Sequence, residues 1–274
     1  MKKTDFQLIY DNLTYGLAKY CRENKVKTMV LGISGGIDST VTAAIANAAC
    51  AELRIPLIGV SLPSDTNYSA DREAAKNVGL SFCTQFDEYD INGLFKDTNN
   101  FLNGITGTIS STKIARGNIK ARLRMITLYH IASVTGGIVL DTDNKTEHYT
   151  GFFTIHGDEG DIGVLRDLDK TTIFAFAKWL KDDSKIINPD QENAISLSLE
   201  LKPTDGNGVG SDLEQFRLHS YEDVDAIVNG EKVLYTGNVN KLHDKTWYKR
   251  LHRPFYIGID GEYYDGSGNK FTIN

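Results

Sequence analysis

Thr28-Met29-Val30-Leu31-Gly32-Ile33-Ser34-Gly35-Gly36-Ile37-Asp38-Ser39-Thr40 is the stretch on which the fold turns. Its first six residues are nearly all apolar, as suits a strand buried on both faces of a parallel sheet. From Thr40 to Leu53 the chain is rich in alanine, with Val41 and Ile45, the composition of a good helix. Between strand and helix, Gly35 and Gly36 let the backbone turn tightly and bring its N–H groups against an anion. The helix N-terminus behind them adds unpaired N–H donors and the positive end of the dipole. Ser34, Ser39 and Thr40 supply hydroxyls. Asp38 is the odd member, because a carboxylate beside bound phosphates repels them unless a cation lies between. Its presence implies Mg2+. A glycine turn capped by Asp and Ser would account for Gly-Gly-x-Asp-Ser alone, but the strand before and the helix after favour a phosphate loop. No Gly-x-x-x-x-Gly-Lys-[Ser/Thr] occurs in the chain, so this is not the loop that supports γ-phosphate transfer.

Outward from that loop, strands and helices alternate. Phe6, Ile9, Leu13, Leu17 and Tyr20 fall three and four residues apart, the stripe of an amphipathic helix. The pattern predicts strands over Leu57 to Leu62, Ser81 to Phe86 and Gly137 to Leu140. It predicts helices over Ala70 to Val78, about Asn118 to Val134, and Thr171 to Leu180. Such alternation implies an α/β fold, a doubly wound, Rossmann-like parallel sheet flanked by helices, with any ligand along the edge formed by the strand ends. Residues 196–216, glycine-rich and acidic, read as a lid inside a single domain spanning 1–274. Ser220 looks like a helix start. Asp260-Gly261 between Tyr- and Ile-rich flanks signals a short hairpin near 255–274.

Bulk properties narrow the function. The chain has 274 residues, long enough to bury a full core, and its 41% hydrophobic and 24% charged residues are those of a globular protein. The net charge of −6 disfavours a broad grip on nucleic acid. No apolar run reaches the roughly 18–20 residues of a membrane span. The polar start is unlike a signal core, so a cytoplasmic location is expected. Cys21, Cys50 and Cys83 form no C-x-x-C pair and read as packing thiols, and the six histidines show no metallo-hydrolase spacing.

The string Ser34-Gly35-Gly36-Ile37-Asp38-Ser39 resembles the loop of the ATP-pyrophosphatase superfamily, whose members cleave ATP between the α and β phosphates. Downstream, Arg116-Gly117-Asn118-Ile119-Lys120-Ala121-Arg122-Leu123-Arg124-Met125 resembles the R-G-N-x-K-A-R-x-R-M signature of NAD synthetases. Thr142 to Glu147, Thr150-Gly151-Phe152-Phe153-Thr154 and Gly157 to Ile162 are similar to that family's later motifs, in the same order. The resemblance covers roughly residues 5 to 256. It implies the adenine nucleotide alpha hydrolase-like fold and an ammonia-dependent ligase. The carboxylate of deamido-NAD would attack the ATP α-phosphate, and ammonia would then displace AMP.

Carried over residue by residue, the resemblance puts ATP on Gly32, Ile33, Ser34, Gly35, Gly36, Ile37, Asp38, Ser39, Thr142, Lys170 and Thr204. Mg2+ falls to Asp38 and Glu147, deamido-NAD to Arg122, Asp161 and Lys249. Asp38 and Lys170 are the candidate catalytic residues. The resemblance also implies a homodimer that binds the dinucleotide near its interface. Several positions depart from the family pattern: Ile155 stands where relatives place Lys, Asp141 where Gly is common, and the Gly157–Asp161 motif is one residue short. Most departures fall on the acid-substrate side. Two other readings remain: an amide- or thio-transferring relative acting on another acid or on tRNA, and a non-catalytic adenine-nucleotide sensor.

Overall fold

A computed structural model describes residues 5–107, 112–203, 211–231, 233, 235–251, 255–265 and 268–272. Its strands are β1 (Met29–Gly32), β2 (Leu57–Ser61), β3 (Gln85–Glu88), β4 (Ile138–Asp141), β5 (Ile162–Gly163), β6 (Phe255–Ile257), β7 (Tyr263–Tyr264) and β8 (Lys270–Phe271). They form one sheet in the order β3-β2-β1-β4-β5-β6-β7-β8. Pairing is parallel from β3 through β6 and antiparallel from β6 to β8. Met29 lies opposite both Leu57 and Ile138. The chain winds outward from β1 to β3 and then returns to place β4 on the other side of β1. That reversal is the topological switch point, where such sheets bind their ligands.

The helices are α1 (Phe6–Glu23), α2 (Ile37–Leu53), α3 (Ser69–Phe82), α4 (Asn92–Thr106), α5 (Lys113–Thr135), α6 (Lys145–Thr150), α7 (Lys170–Asp182), α8 (Pro189–Glu200), α9 (Asp212–Phe216), α10 (Tyr221–Val228) and α11 (Val239–Lys245). Met29 and Leu31 face one core with Leu13 and Leu17 of α1, Ile45 of α2, Phe176 of α7 and Ile195 of α8. Val30 between them faces a second core with Met125, Leu128 and Ala132 of α5. Burial on both faces explains why β1 is an unbroken apolar run. A third, smaller cluster, formed by Phe216, Leu218, Tyr221, Val224, Ile227, Val228 and Val239, holds α9, α10 and α11 together. Among the described residues no helix is long and apolar enough to cross a membrane.

The structure differs from the sequence pattern in several places, three of which bear on the site and its flanks. The third strand begins at Gln85, because Ala74, Ala75, Val78 and Phe82 keep helical spacing and bury that face of α3. α4 lies in a stretch with no predicted helix. Residues 196–200, assigned to the lid, belong to α8, which Asn188 caps reciprocally with Gln191 and which begins with Pro189. At the far edge, β6 and β7 pair across Asp260-Gly261, where Gly261 takes φ +79°.

Candidate active site

Gly35 shows why the loop needs glycine. Its φ is +85°, and a Cβ there would stand 2.5 Å from the Asp71 carbonyl oxygen and 2.7 Å from the Ala75 nitrogen. Any side chain would strain the backbone and push α3 away from the loop. Past it the chain enters α2. The hydroxyls of Ser39 and Thr40 both donate to the Gly36 carbonyl at 2.9 Å, and the Ser34 hydroxyl accepts from Gly36 N–H at 3.2 Å. Thr40 is fully buried and its hydroxyl meets Ser198 of α8 at 2.8 Å, so it braces the loop and offers nothing to a ligand. That corrects its expected role as a phosphate donor.

Three helix N-termini converge at the C-terminal ends of β1 and β4. Asp38, in the first turn of α2, accepts from Lys170 Nζ at 2.5 Å and from Asn144 Nδ2 at 2.8 Å. Lys170, the first residue of α7, is almost fully buried, and its ammonium also lies 3.6 Å from Glu147 Oε1. Glu147 is held by Asn144, which caps α6: Asn144 N–H donates to Glu147 Oε2 at 3.1 Å, and Asn144 Oδ1 accepts from Glu147 N–H at 2.9 Å. Burial, together with the nearby Asp38, raises the Glu147 carboxyl despite the opposing pull of Lys170. Burial alone would lower the Lys170 ammonium, but Asp38 and Glu147 outweigh it and hold that pKa above the usual lysine value. Tyr221 of α10 sets its ring 5.8 Å from that ammonium and donates its hydroxyl to Asp212 at 2.6 Å.

A cavity of about 580 Å³ opens over this cluster. Of the expected ATP residues it is lined by Gly32, Ile33, Ser34, Gly36, Ile37, Asp38, Ser39, Thr142 and Lys170, and Glu147 also lines it. Gly35 lies behind the wall, packed on α3, and Thr204 falls outside the described residues. The residues expected to meet the acid substrate divide. Lys249 lines the cavity, but its ammonium donates to the carbonyls of Gly151, at 2.7 Å, and Phe153. Arg122 and Asp161 do not line it. Arg122 donates to the Ile155 carbonyl at 3.3 Å, and Asp161 accepts from Tyr129 at 3.0 Å and Val139 N–H at 2.8 Å, pinning β4. Arg124 and Asp158 line the wall at that end. Arg124 donates to the Leu62 carbonyl at 2.9 Å, and Asp158 accepts from Thr154 N–H at 2.6 Å. Burial raises the Asp158 carboxyl and lowers the Arg124 guanidinium.

Directly behind Thr142, Asp141 at the end of β4 is wholly buried and accepts from Arg166 Nη2 at 2.7 Å. It also accepts from Asp143 N–H at 2.7 Å, which shapes the turn into α6. Arg166 in turn meets His148 Nδ1 at 3.0 Å. Burial, then the neighbouring Arg166, pushes the His148 imidazole down to about 3, so it stays neutral.

The geometry thus joins backbone N–H donors at a helix start, one buried ammonium and two carboxylates on a single cavity wall. Such an arrangement can hold a polyphosphate with a divalent cation. Residues 9–246 match the family model described as NAD synthase. The chain belongs to the NAD synthase family. It is 35% identical over 252 residues to the NH(3)-dependent NAD(+) synthetase of Finegoldia magna, covering 88% of this chain and 94% of that one. It is 32% identical over 227 residues to the NH(3)-dependent NAD(+) synthetase of Thermoplasma acidophilum, covering 82% and 83%. Among solved structures, the NMN synthetase from Francisella tularensis superposes with a TM-score of 0.78 at 26% identity, covering 90% of this chain and 97% of that one. Family membership accounts for the order of the motifs along the chain and for the parallel sheet that carries them.

Asn144, Arg166, Tyr221 and Asp212 escaped the sequence reading. Asn144 left a signal, the capping-box spacing Asn-x-x-Glu ahead of a short helix. The others meet their partners only through the fold.

Proposed function

We propose that this chain is an ammonia-dependent NAD synthetase: it joins ammonia to deamido-NAD, cleaving ATP to AMP and pyrophosphate through an adenylated nicotinate carboxylate. The apposition of Asp38, Lys170 and Glu147 at the glycine loop carries this reading. The loop N–H groups and the Ser34 and Ser39 hydroxyls hold the β and γ phosphates as the leaving pyrophosphate. Lys170 places its charge where negative charge grows on the α-phosphate during attack. Thr142 and the apolar wall at the ends of β1 and β4 take the rest of the nucleotide.

The residues present fit Mg2+. Asp38 and Glu147 both lie within reach of one cation, the Lys170 ammonium, at 2.5 and 3.6 Å. Among the described residues no group of three or more His, Cys, Asp or Glu forms a metal cage, so the ion is expected to arrive with ATP and keep phosphate and water ligands. Bound there, it would offset charge on the leaving pyrophosphate.

Thr204, in the segment between α8 and α9, would cover the nucleotide. Arg122, Asp161 and Lys249, which the resemblance assigns to deamido-NAD, are joined as candidates by the cavity-lining Arg124 and Asp158. We place the enzyme in the cytoplasm, as a single catalytic domain and a homodimer. Leu94, Phe101 and Ile105 of α4 and Ile114 and Ile126 of α5 are each more than half exposed, an apolar face that suits a second copy. Light scattering at assay concentration tests this, and a mass near 30.4 kDa would refute it.

The likeness to a chain named for making NMN favours a second reading of the same chemistry, in which the acid is nicotinate mononucleotide. Pyrophosphate release with deamido-NAD, nicotinate mononucleotide and unrelated acids, each with ammonium, separates the two. Release with none of them refutes both.

A further inference from the structure

The two helices that carry Lys170 and Glu147 do not meet through their catalytic side chains alone. Behind the cavity wall stands Asp225 of α10, 2% exposed and absent from the cavity lining. Its Oδ1 accepts from the Thr146 hydroxyl at 2.5 Å. That hydroxyl accepts in turn from the backbone N–H of Lys170 at 3.0 Å. Its Oδ2 accepts from Thr171 N–H at 2.8 Å and from the Thr171 hydroxyl. Thr172 N–H is met by the N-cap Asp169 at 2.9 Å. The first three N–H groups of α7, which have no partner within the helix, are thus satisfied by Thr146, Asp225 and Asp169.

One turn further along α10, Asn229 Nδ2 donates to that same Asp169 at 2.8 Å, and Asn229 Oδ1 accepts from Lys145 Nζ at 2.6 Å. One face of α10 therefore grips the starts of both α6 and α7. Thr146 precedes Glu147 in the chain, and Thr171 follows Lys170. A shift of Asp225 moves the two charged groups relative to each other.

We infer that Asp225 is a positioning residue for the reaction: its buried carboxylate sets the spacing between Lys170 and Glu147, and so ties metal–nucleotide binding to the hydrogen bonds that α10 makes to the starts of α6 and α7. This rests on the proposed ATP-dependent reading. Charge-assisted hydrogen bonds in a dry site are strong and directional, whereas packing alone leaves the two helix ends free to rock.

The test uses the full chain and Mn2+ with a non-hydrolysable ATP analogue, read by the electron paramagnetic resonance of free Mn2+. No acid substrate is needed, so the result judges Asp225 even if deamido-NAD is the wrong acid. NAD formation, measured in parallel, judges that reading separately. Asp225→Ala is expected to weaken Mn2+ binding by about tenfold or more, the scale of one lost charge-assisted bond, with kcat falling in step. Val224→Ala is the control, since Val224 sits on the same helix, fully buried in the small core. It should lower Tm while leaving Mn2+ affinity within about twofold of wild type, because truncating Val224 removes packing but none of the hydrogen bonds that hold the starts of α6 and α7. Asp225→Asn, which keeps an acceptor for Thr171 N–H, should recover part of the loss. If Asp225→Ala does not fold, Thr146→Val carries the test, since it cuts the relay to Lys170 and keeps the side-chain volume. Wild-type affinity in the folded variant overturns the inference, as does an equal loss in Val224→Ala. A wild-type chain that binds no Mn2+ with the analogue overturns both this inference and the ATP-dependent reading.

Discussion

Asp141 stands where the resemblance leads one to expect glycine, and Arg166 is its counterweight. Asp141→Gly moves the chain toward that pattern and should nonetheless destabilise it. The side chains of Asp141 and Arg166 are 0% and 4% exposed, and their ion pair spans 2.7 Å. Removing the carboxylate leaves a buried guanidinium uncompensated, its Nε already without a hydrogen-bond partner, and takes away the Asp141 acceptor of Asp143 N–H as well. Breaking a buried pair by deleting one partner costs about 3–5 kcal/mol. In a chain of this size each kcal/mol moves Tm by roughly 2–4 °C, so a fall on the order of 10 °C is expected. Replacing both residues removes the stranded charge, so Asp141→Gly with Arg166→Met should be more stable than the sum of the single losses by about 2 kcal/mol or more. Urea denaturation of wild type, both single variants and the double gives the cycle directly. Costs that add to within about 0.5 kcal/mol would show that the two side chains are not coupled and refute the reasoning.

Other outcomes follow from the same geometry. Asp38→Asn should cut turnover by on the order of 10²–10³ in a pyrophosphate-release assay, and near-normal release would remove Asp38 from the metal–phosphate site. Glutamine should not replace ammonium in the purified chain, because no cysteine has a nucleophile's setting; robust glutamine-only activity would contradict this. Burial pushes the thiols of Cys21, Cys50 and Cys83 up to about 12, so a thiol reagent at pH 8 should leave native protein largely unmodified and label three cysteines after denaturation. The His148 imidazole, lowered from 6.5 to about 3 in the fold, should favour the native state above pH 6.5. As pH falls below that, the unfolded chain binds a proton the native state refuses, and wild type should lose up to about 1.4 kcal/mol per pH unit relative to His148→Asn. A flat difference between the two would contradict it.

The central strand, its glycine loop and the helix behind it were legible because local composition and burial on both sheet faces point the same way. α4 was not legible. Leu94, Phe95, Phe101, Leu102 and Ile105 do recur at helical spacing, but Gly93, Asn99, Asn100, Asn103 and Gly104 all weaken helix propensity and mask that stripe, of which Phe95 is the one buried residue. The third strand was placed early because Phe82, which closes the buried face of α3, reads equally well as a strand residue. In the site, Asp38, Lys170 and Glu147 were reachable through motif resemblance, and the structure brings them together. Arg166 lies 25 residues from Asp141, and Asp225 lies 79 from Thr146, so only tertiary packing reveals those partners.

One measurement bears on the central claim most directly. The chain is incubated with Mg-ATP, ammonium and deamido-NAD whose nicotinate carboxylate carries 18O. An adenylated carboxylate predicts NAD and AMP in equal amounts, with one labelled oxygen in the AMP phosphate and none in pyrophosphate. ADP and orthophosphate as products, or AMP free of label, would contradict it.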